Sequence, residues 1–124
     1  MANKKKILVV DDSKTALLMT TMALAKGPYE ITTATDGEQG LERAQAERPD
    51  LIVLDVVMPK MDGFETCRRL REQEATRETP VIMLTTRGEG ENVEAGYESG
   101  CTEYVTKPIN TVEFLARVKS CLGD

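Results

Sequence analysis

Leu51-Ile-Val-Leu54 runs without a polar break into a single carboxylate, Asp55, and then into a loop punctuated by Pro59 and Gly63. Four consecutive apolar, β-favouring residues between turn signals read as a strand buried on both faces. Such a strand needs a layer above it and a layer below it. It therefore belongs at the centre of a parallel sheet, and an aspartate at its carboxyl end stands where open parallel sheets place their chemistry.

The flanking segments supply the layers. Lys5 to Val10 is a second buried strand, ending at Asp11-Asp12. Ser13 to Lys26 predicts a helix with Leu18, Met22 and Ala25 on one face and Leu17 and Leu24 on a neighbouring stripe, stopped by Gly27-Pro28. Tyr29 to Thr35 is a β-branched strand, Glu38 to Glu47 a helix, and Arg48-Pro49 a stop. After Gly63, helical spacing returns from Phe64 to Gln73, with Phe64, Cys67 and Leu70 at the apolar positions. Pro80 to Thr85 is the next strand, and Arg87 to Glu91 a glycine-bearing loop. A weak helix to about Ser99 contains Gly96, at a cost of about 1 kcal/mol relative to alanine, and Gly100 ends it. Glu103 to Thr106 is a short strand, and Asn110 caps a last helix that turns Leu115, Val118 and Leu122 inward.

Five strands alternating with five helices give an α/β fold with a parallel sheet covered on both faces. Because parallel crossovers are right-handed, this is a doubly wound sandwich. The 124 residues suffice for one such domain and not for two.

Composition removes several function classes. A net charge of −5 disfavours direct nucleic acid binding, since phosphates would be repelled. No apolar run is long enough to span a bilayer and no signal peptide precedes the first strand, so the expectation is a cytoplasmic protein without membrane contact. Cys67, Cys101 and Cys121 lack metal-type spacing and read as free thiols. The complete absence of histidine excludes a Ser-His or Cys-His nucleophile pair and an imidazole zinc site within the chain.

In a doubly wound sheet all strand carboxyl ends share one rim. Asp11 and Asp12 end the first strand, Asp55 the third and Thr85 the fourth, while Lys107 follows the fifth. Three carboxylates brought together repel unless a cation offsets them, and an all-oxygen set with room for water suits Mg²⁺. Lys107 and the Thr85 hydroxyl then remain to hold an anion beside the metal. A metal, a lysine and a carboxylate nucleophile form a phosphoryl-transfer constellation. Taken singly the residues are less specific: Asp12 also fits a helix cap before Ser13-Lys14, and Lys107-Pro108 also fits a solvated turn. Their joint occurrence at successive strand ends carries the specificity.

ILVVDDS at the first strand, LIVLDVVMPKMDG around Asp55, PVIMLTT at the fourth and YVTKPI at the fifth resemble the receiver domain of two-component response regulators over essentially the whole chain, residues 1–124. The resemblance implies a flavodoxin-like sheet of order 2-1-3-4-5. It implies Asp55 as phosphoacceptor, and Mg²⁺ held by Asp12, Asp55 and the Val57 carbonyl with help from Asp11. Lys107 would contact the phosphoryl group, Thr85 would be the switch hydroxyl and Tyr104 the aromatic switch, with a cis peptide before Pro108. The donor would be a phosphohistidine of a sensor histidine kinase or phosphotransfer protein. Such a domain is not an enzyme beyond its own phosphorylation and dephosphorylation.

Two other phosphate chemistries fit less well. A haloacid-dehalogenase-type phosphatase needs a second aspartate two residues after the nucleophile, where Val57 stands. A flavodoxin-like nucleotide binder needs a hydroxyl- and glycine-rich loop where Asp11-Asp12 stand. A pseudo-receiver scaffold is disfavoured because every working position holds a working residue. The output surface is expected on the fourth helix, the fifth strand around Tyr104 and the fifth helix, with Glu91, Glu94 and Glu98 at helical spacing on one side and Arg117 and Lys119 on the last helix. There a downstream protein would dock, the chain being a monomer or a weak phosphorylation-dependent dimer. The Gly123-Asp124 ending favours a stand-alone receiver, the alternatives being a phosphate sink or a piece of a larger regulator.

Overall fold

The structure is a computed structural model and describes residues 4–86 and 92–123. The strands are β1 (Lys5–Val10), β2 (Tyr29–Ala34), β3 (Leu51–Asp55), β4 (Val81–Thr86) and β5 (Glu103–Lys107). The helices are α1 (Lys14–Leu24), α2 (Gly37–Glu47), α3 (Gly63–Glu72), α4 (Asn92–Glu98) and α5 (Thr111–Leu122), with a 3-10 turn at Glu74–Thr76. All strand pairs are parallel in the order β2-β1-β3-β4-β5. The Arg87–Glu91 loop and the Glu91 carboxylate lie outside the described residues.

Strand alternation divides the core in two. Ile7 and Val9 of β1 and Leu51 and Val53 of β3 pack with Leu17 and Leu24 of α1 and Phe114 and Val118 of α5. Leu8, Val10, Ile52 and Leu54 point the other way, against Leu41 and Ala44 of α2 and Cys67 and Leu70 of α3. Side chains along a strand alternate sides, so a continuous apolar run feeds both cores. β3 is buried along its whole length.

The element order matches the sequence reading, with ends displaced by a residue or two. Lys107 is the last residue of β5 and does not follow it. Larger differences concern helix faces. In α1 the buried residues are Leu17, Thr20, Ala23 and Leu24, whereas Leu18, Met19 and Met22 are 58%, 56% and 61% exposed and Ala25 also faces solvent. This helix carries apolar side chains nearly all round, so spacing alone selects no stripe. Small Thr20 and Ala23 let it lie close to the sheet. In α5 the inward pair is Phe114 and Val118; Leu115 and Leu122 are only half-buried.

Caps are well defined where the sequence offers them. Asp36, Asp62 and Asn110 accept from the third helical N–H of α2, α3 and α5. Gly100 ends α4 at φ +103°, a conformation that favours glycine. Gly96, read as a weak point, has a packing reason: a methyl there would lie 2.6 Å from the Tyr104 ring.

Candidate phosphoacceptor site

β1, β3 and β4 are neighbours, and β5 lies beyond β4, so their carboxyl ends form one rim. Asp11 follows β1 and its N–H donates to the Ala34 carbonyl of β2. Its Oδ1 accepts from the Ser13 N–H at 3.0 Å, which orients the carboxylate. Asp55 ends β3, pairs in register with Leu84, and is 6% exposed. One ligand oxygen each from Asp11, Asp12 and Asp55 lies within 4.8 Å of the others.

Lys107 reaches in from the end of β5. Its Nζ donates to Asp11 Oδ2 and to Asp55 Oδ1, both at 3.0 Å. The peptide bond between Lys107 and Pro108 is cis. Asp12 differs from the other two carboxylates: it is exposed, and no hydrogen bond or ion pair engages it among the described residues. It does not cap α1. Ser13 does, its hydroxyl accepting from the Ala16 N–H. The cap reading of Asp12 is thereby replaced, and its exposed carboxylate stands beside two buried ones.

Charge at the rim is only partly offset. Among the described residues one ammonium, that of Lys107, bonds two of the three carboxylates. Burial pushes the Asp55 carboxyl above the usual carboxylate range, opposed by the Lys107 bond and reinforced by Asp11 and Asp12. For Lys107 burial disfavours the charge, yet the bonds to Asp55 and Asp11 outweigh it and raise its pKa. A hard divalent cation fits this donor set: anionic oxygens only, and an exposed member where water can complete the coordination.

Other expected residues stand as follows. Thr85 is buried in β4 and pairs with Thr106, one position before the Thr86–Lys107 pair. Val57 follows Asp55 by two residues in the loop, its side chain 60% exposed. Tyr104 is not in the acidic cluster; it pairs with Met83, packs on the α2/α3 side of the sheet and lies 6.4 Å from the Tyr97 ring. Glu94 and Glu98 are exposed, and Arg117 of α5 bonds Glu103 of β5. The three cysteines are free thiols, and burial raises them all, Cys101 to about 12, so they are poor nucleophiles.

The sequence reading treated Gly63 as punctuation. Its N–H donates to the Val56 carbonyl at 2.7 Å, and its Cα sits against the Asp55 carbonyl, where no side chain fits. A second residue it missed is Arg71. That guanidinium donates to the carbonyls of Gly100, Thr76, Arg77 and Thr79, joining α3 to the turn after α4. Neither had a spacing signal; both depend on which backbone comes near.

The model of the response regulator receiver domain matches residues 7–119. The chain belongs to that family. This receiver is 45% identical over 118 residues to the alkaline phosphatase synthesis transcriptional regulatory protein PhoP of Bacillus subtilis, covering 95% of the chain and 48% of that protein. It thus spans about half the length of the relative it matches. The chemotaxis protein CheY4 of Vibrio cholerae superposes with a TM-score of 0.90 at 38% identity, covering 97% of this chain and 100% of that one. The receiver domain of the Pseudomonas aeruginosa sensor histidine kinase PA1611 superposes with a TM-score of 0.90 at 28% identity, covering 98% and 100%, and has a magnesium ion coordinated in its active site cleft. The fold, the order 2-1-3-4-5 and the receiver class are therefore those anticipated from the motifs. Receiver domains are signalling domains that interact with histidine kinases or phosphotransfer partners. Among the described residues no helix is long and apolar enough to cross a membrane.

Proposed function

We propose that Asp55 accepts a phosphoryl group from a protein phosphohistidine and that the charge so gained resets the surface formed by α4, β5 and α5. The observation that carries this reading is the Asp11–Asp12–Asp55 cluster bridged by Lys107. Asp12, Asp55 and the Val57 carbonyl, with Asp11 at their side, would hold Mg²⁺, which supplies charge neutralisation for the phosphoryl oxygens when bound. Asp55 Oδ attacks phosphorus, the bond to the donor imidazole nitrogen breaks, and the imidazole leaves with that electron pair. Lys107 exchanges its bond to the Asp55 carboxylate for one to a phosphoryl oxygen. Thr85 offers a hydroxyl to the acyl phosphate, and Tyr104, which packs against Gly96 and near Tyr97 in this structure, follows by swinging into the space that Thr85 leaves. The domain acts as a switch, a charge event biasing a two-state element, and not as an enzyme on other substrates.

Amide exchange with and without a phosphate mimic (beryllium fluoride with Mg²⁺) tests the switch. Protection is expected to change between residues 92 and 107 as well as around Asp55. A response confined to the rim would leave a phosphate sink.

The donor surface is proposed from the exposed apolar face of α1. Leu18, Met19 and Met22 stand out of the core, and Met19 lines a groove with Lys107, Pro108 and Ile109. Apolar side chains of this size beside a reaction rim fit a partner helix. Met22→Glu is expected to slow transfer from a protein phosphohistidine at least about tenfold, the loss of one buried contact of 1.4 kcal/mol. Uptake from a small phosphodonor should be unchanged. Equal slowing with both donors would move the docking surface elsewhere.

The chain is read as a receiver over residues 1–124, acting in the cytoplasm on a downstream protein and not on nucleic acid directly. The DNA-binding dual master transcriptional regulator RpaA of Synechocystis is about twice the length of this chain, which covers 48% of it.

A further inference from the structure

The loop that carries Val56 and Val57 is held from outside the rim by a joint between α2 and α3. Gly37 opens α2 immediately after its cap Asp36. A methyl on Gly37 would come 2.5 Å from Thr66 Oγ1, 3.1 Å from the Met61 side chain and 3.3 Å from the Met61 carbonyl. Thr66 is 1% exposed, and its hydroxyl donates to the Asp62 carbonyl at 2.8 Å. Asp62 caps α3, and the next residue is Gly63, whose N–H holds the Val56 carbonyl. Contact thus runs unbroken from Gly37 through Thr66 and Asp62–Gly63 to the backbone of Asp55 and Val56.

A bare Cα at position 37 is what lets the two helix starts close over the loop. Thr66 is β-branched and buried, so it has no free rotamer into which to retreat. An added methyl must either part the helices or turn the hydroxyl off Asp62. Parting the helices shifts the start of α3, and turning the hydroxyl leaves the Asp62 carbonyl only the Thr66 N–H at 3.0 Å, which loosens the turn that sets the carbonyls next to the phosphoacceptor.

We propose that Gly37 and Thr66 form a positioning joint for the Asp55–Val57 backbone, and that Gly37 thereby sets how well the rim binds a divalent cation. The cation arm rests on the phosphoacceptor reading; the backbone arm does not. Gly37→Ala is expected to keep a cooperative melt and to raise the Mg²⁺ concentration for half-maximal melting shift roughly tenfold, the low end for partners that orient metal ligands. In metal-free protein, the Gly63 amide should exchange faster in Gly37→Ala than in the wild type. Thr66→Val, which removes the hydroxyl bond to Asp62 while keeping the shape and the backbone N–H bond to the same carbonyl, should reproduce both effects. Thr66→Ser, which keeps the hydroxyl, should show neither. A merely structural role predicts lower melting temperatures with Mg²⁺ dependence and Gly63 exchange unchanged, and that result overturns the joint. If Gly37→Ala does not fold, the Thr66 pair decides by the same two readouts. If the wild type itself shows no Mg²⁺ response, the metal reading fails, and Gly63 exchange alone decides the joint.

Discussion

Asp55→Asn is expected to gain no phosphoryl group under conditions in which the wild type gains one. Intact-protein mass after incubation with Mg²⁺ and a small phosphodonor is the measurement. Asp55 is buried at the central strand end with Lys107 3.0 Å away, whereas Asp12 is exposed and lacks that ammonium partner. An amide cannot form the acyl phosphate, so loss should be complete and not partial. Undiminished labelling of the Asn variant would place the acceptor elsewhere.

The same variant should be more stable than the wild type in metal-free buffer near neutral pH. Asp55 has a folded pKa above its unfolded value, burial being the largest cause. A carboxyl of this kind contributes stability while protonated, below its unfolded pKa, and loses it as pH rises through the folded pKa. Asn has no proton to lose. The advantage of Asp55→Asn should therefore be smallest near pH 3, grow as the pH climbs past the folded pKa of Asp55, and then level off. Lys107 works in the opposite range: its raised pKa means its contribution is present below about pH 10 and is lost only above it. It thus adds no slope at acid pH.

The second large effect concerns the metal. In the wild type, Mg²⁺ at a hundredfold excess over its Kd should stabilise the fold by about 2.7 kcal/mol, equivalent to roughly 10 °C in Tm for a domain of this size. Asp12→Ala should lose most of this shift, because in the proposed site Asp12 is the exposed carboxylate, with no hydrogen bond or ion pair among the described residues to give up when a cation binds. Without metal the variant should melt no lower than the wild type, since it gives up a repelling charge next to Asp11 and Asp55 and no hydrogen bond among the described residues. A Mg²⁺-dependent shift that survives Asp12→Ala would put the cation at another site.

The rim was legible before the fold because its residues mark the ends of strands. Leu51–Leu54 reads as a fully buried strand with Asp55 at its end. The same reasoning put Asp11, Thr85 and Lys107 within a residue of where they stand: Asp11 follows β1, Thr85 is next to last in β4 and Lys107 is the last residue of β5. The helix faces were harder. α1 has apolar residues on most sides, and it took the sheet to decide that Thr20 and Ala23 go in while Leu18, Met19 and Met22 stay out. What spacing takes for a core face is an exposed surface, and Met19 beside it lines a groove with Lys107.

The strand order came only with the resemblance of the motifs to receiver domains; the sequence by itself determined the layered α/β fold and the identity of the residues at the strand ends. These follow from local patterns: apolar runs of strand length, helix spacing and turn residues, each read within a few positions. The tertiary structure decided which carboxylate is exposed, that Lys107 bridges Asp11 and Asp55 across 96 and 52 residues of chain, and why Gly37, Gly63 and Gly96 must lack side chains. Those facts depend on which distant backbone approaches a given atom to within a few ångströms, and such approaches are set by how whole helices settle on the sheet.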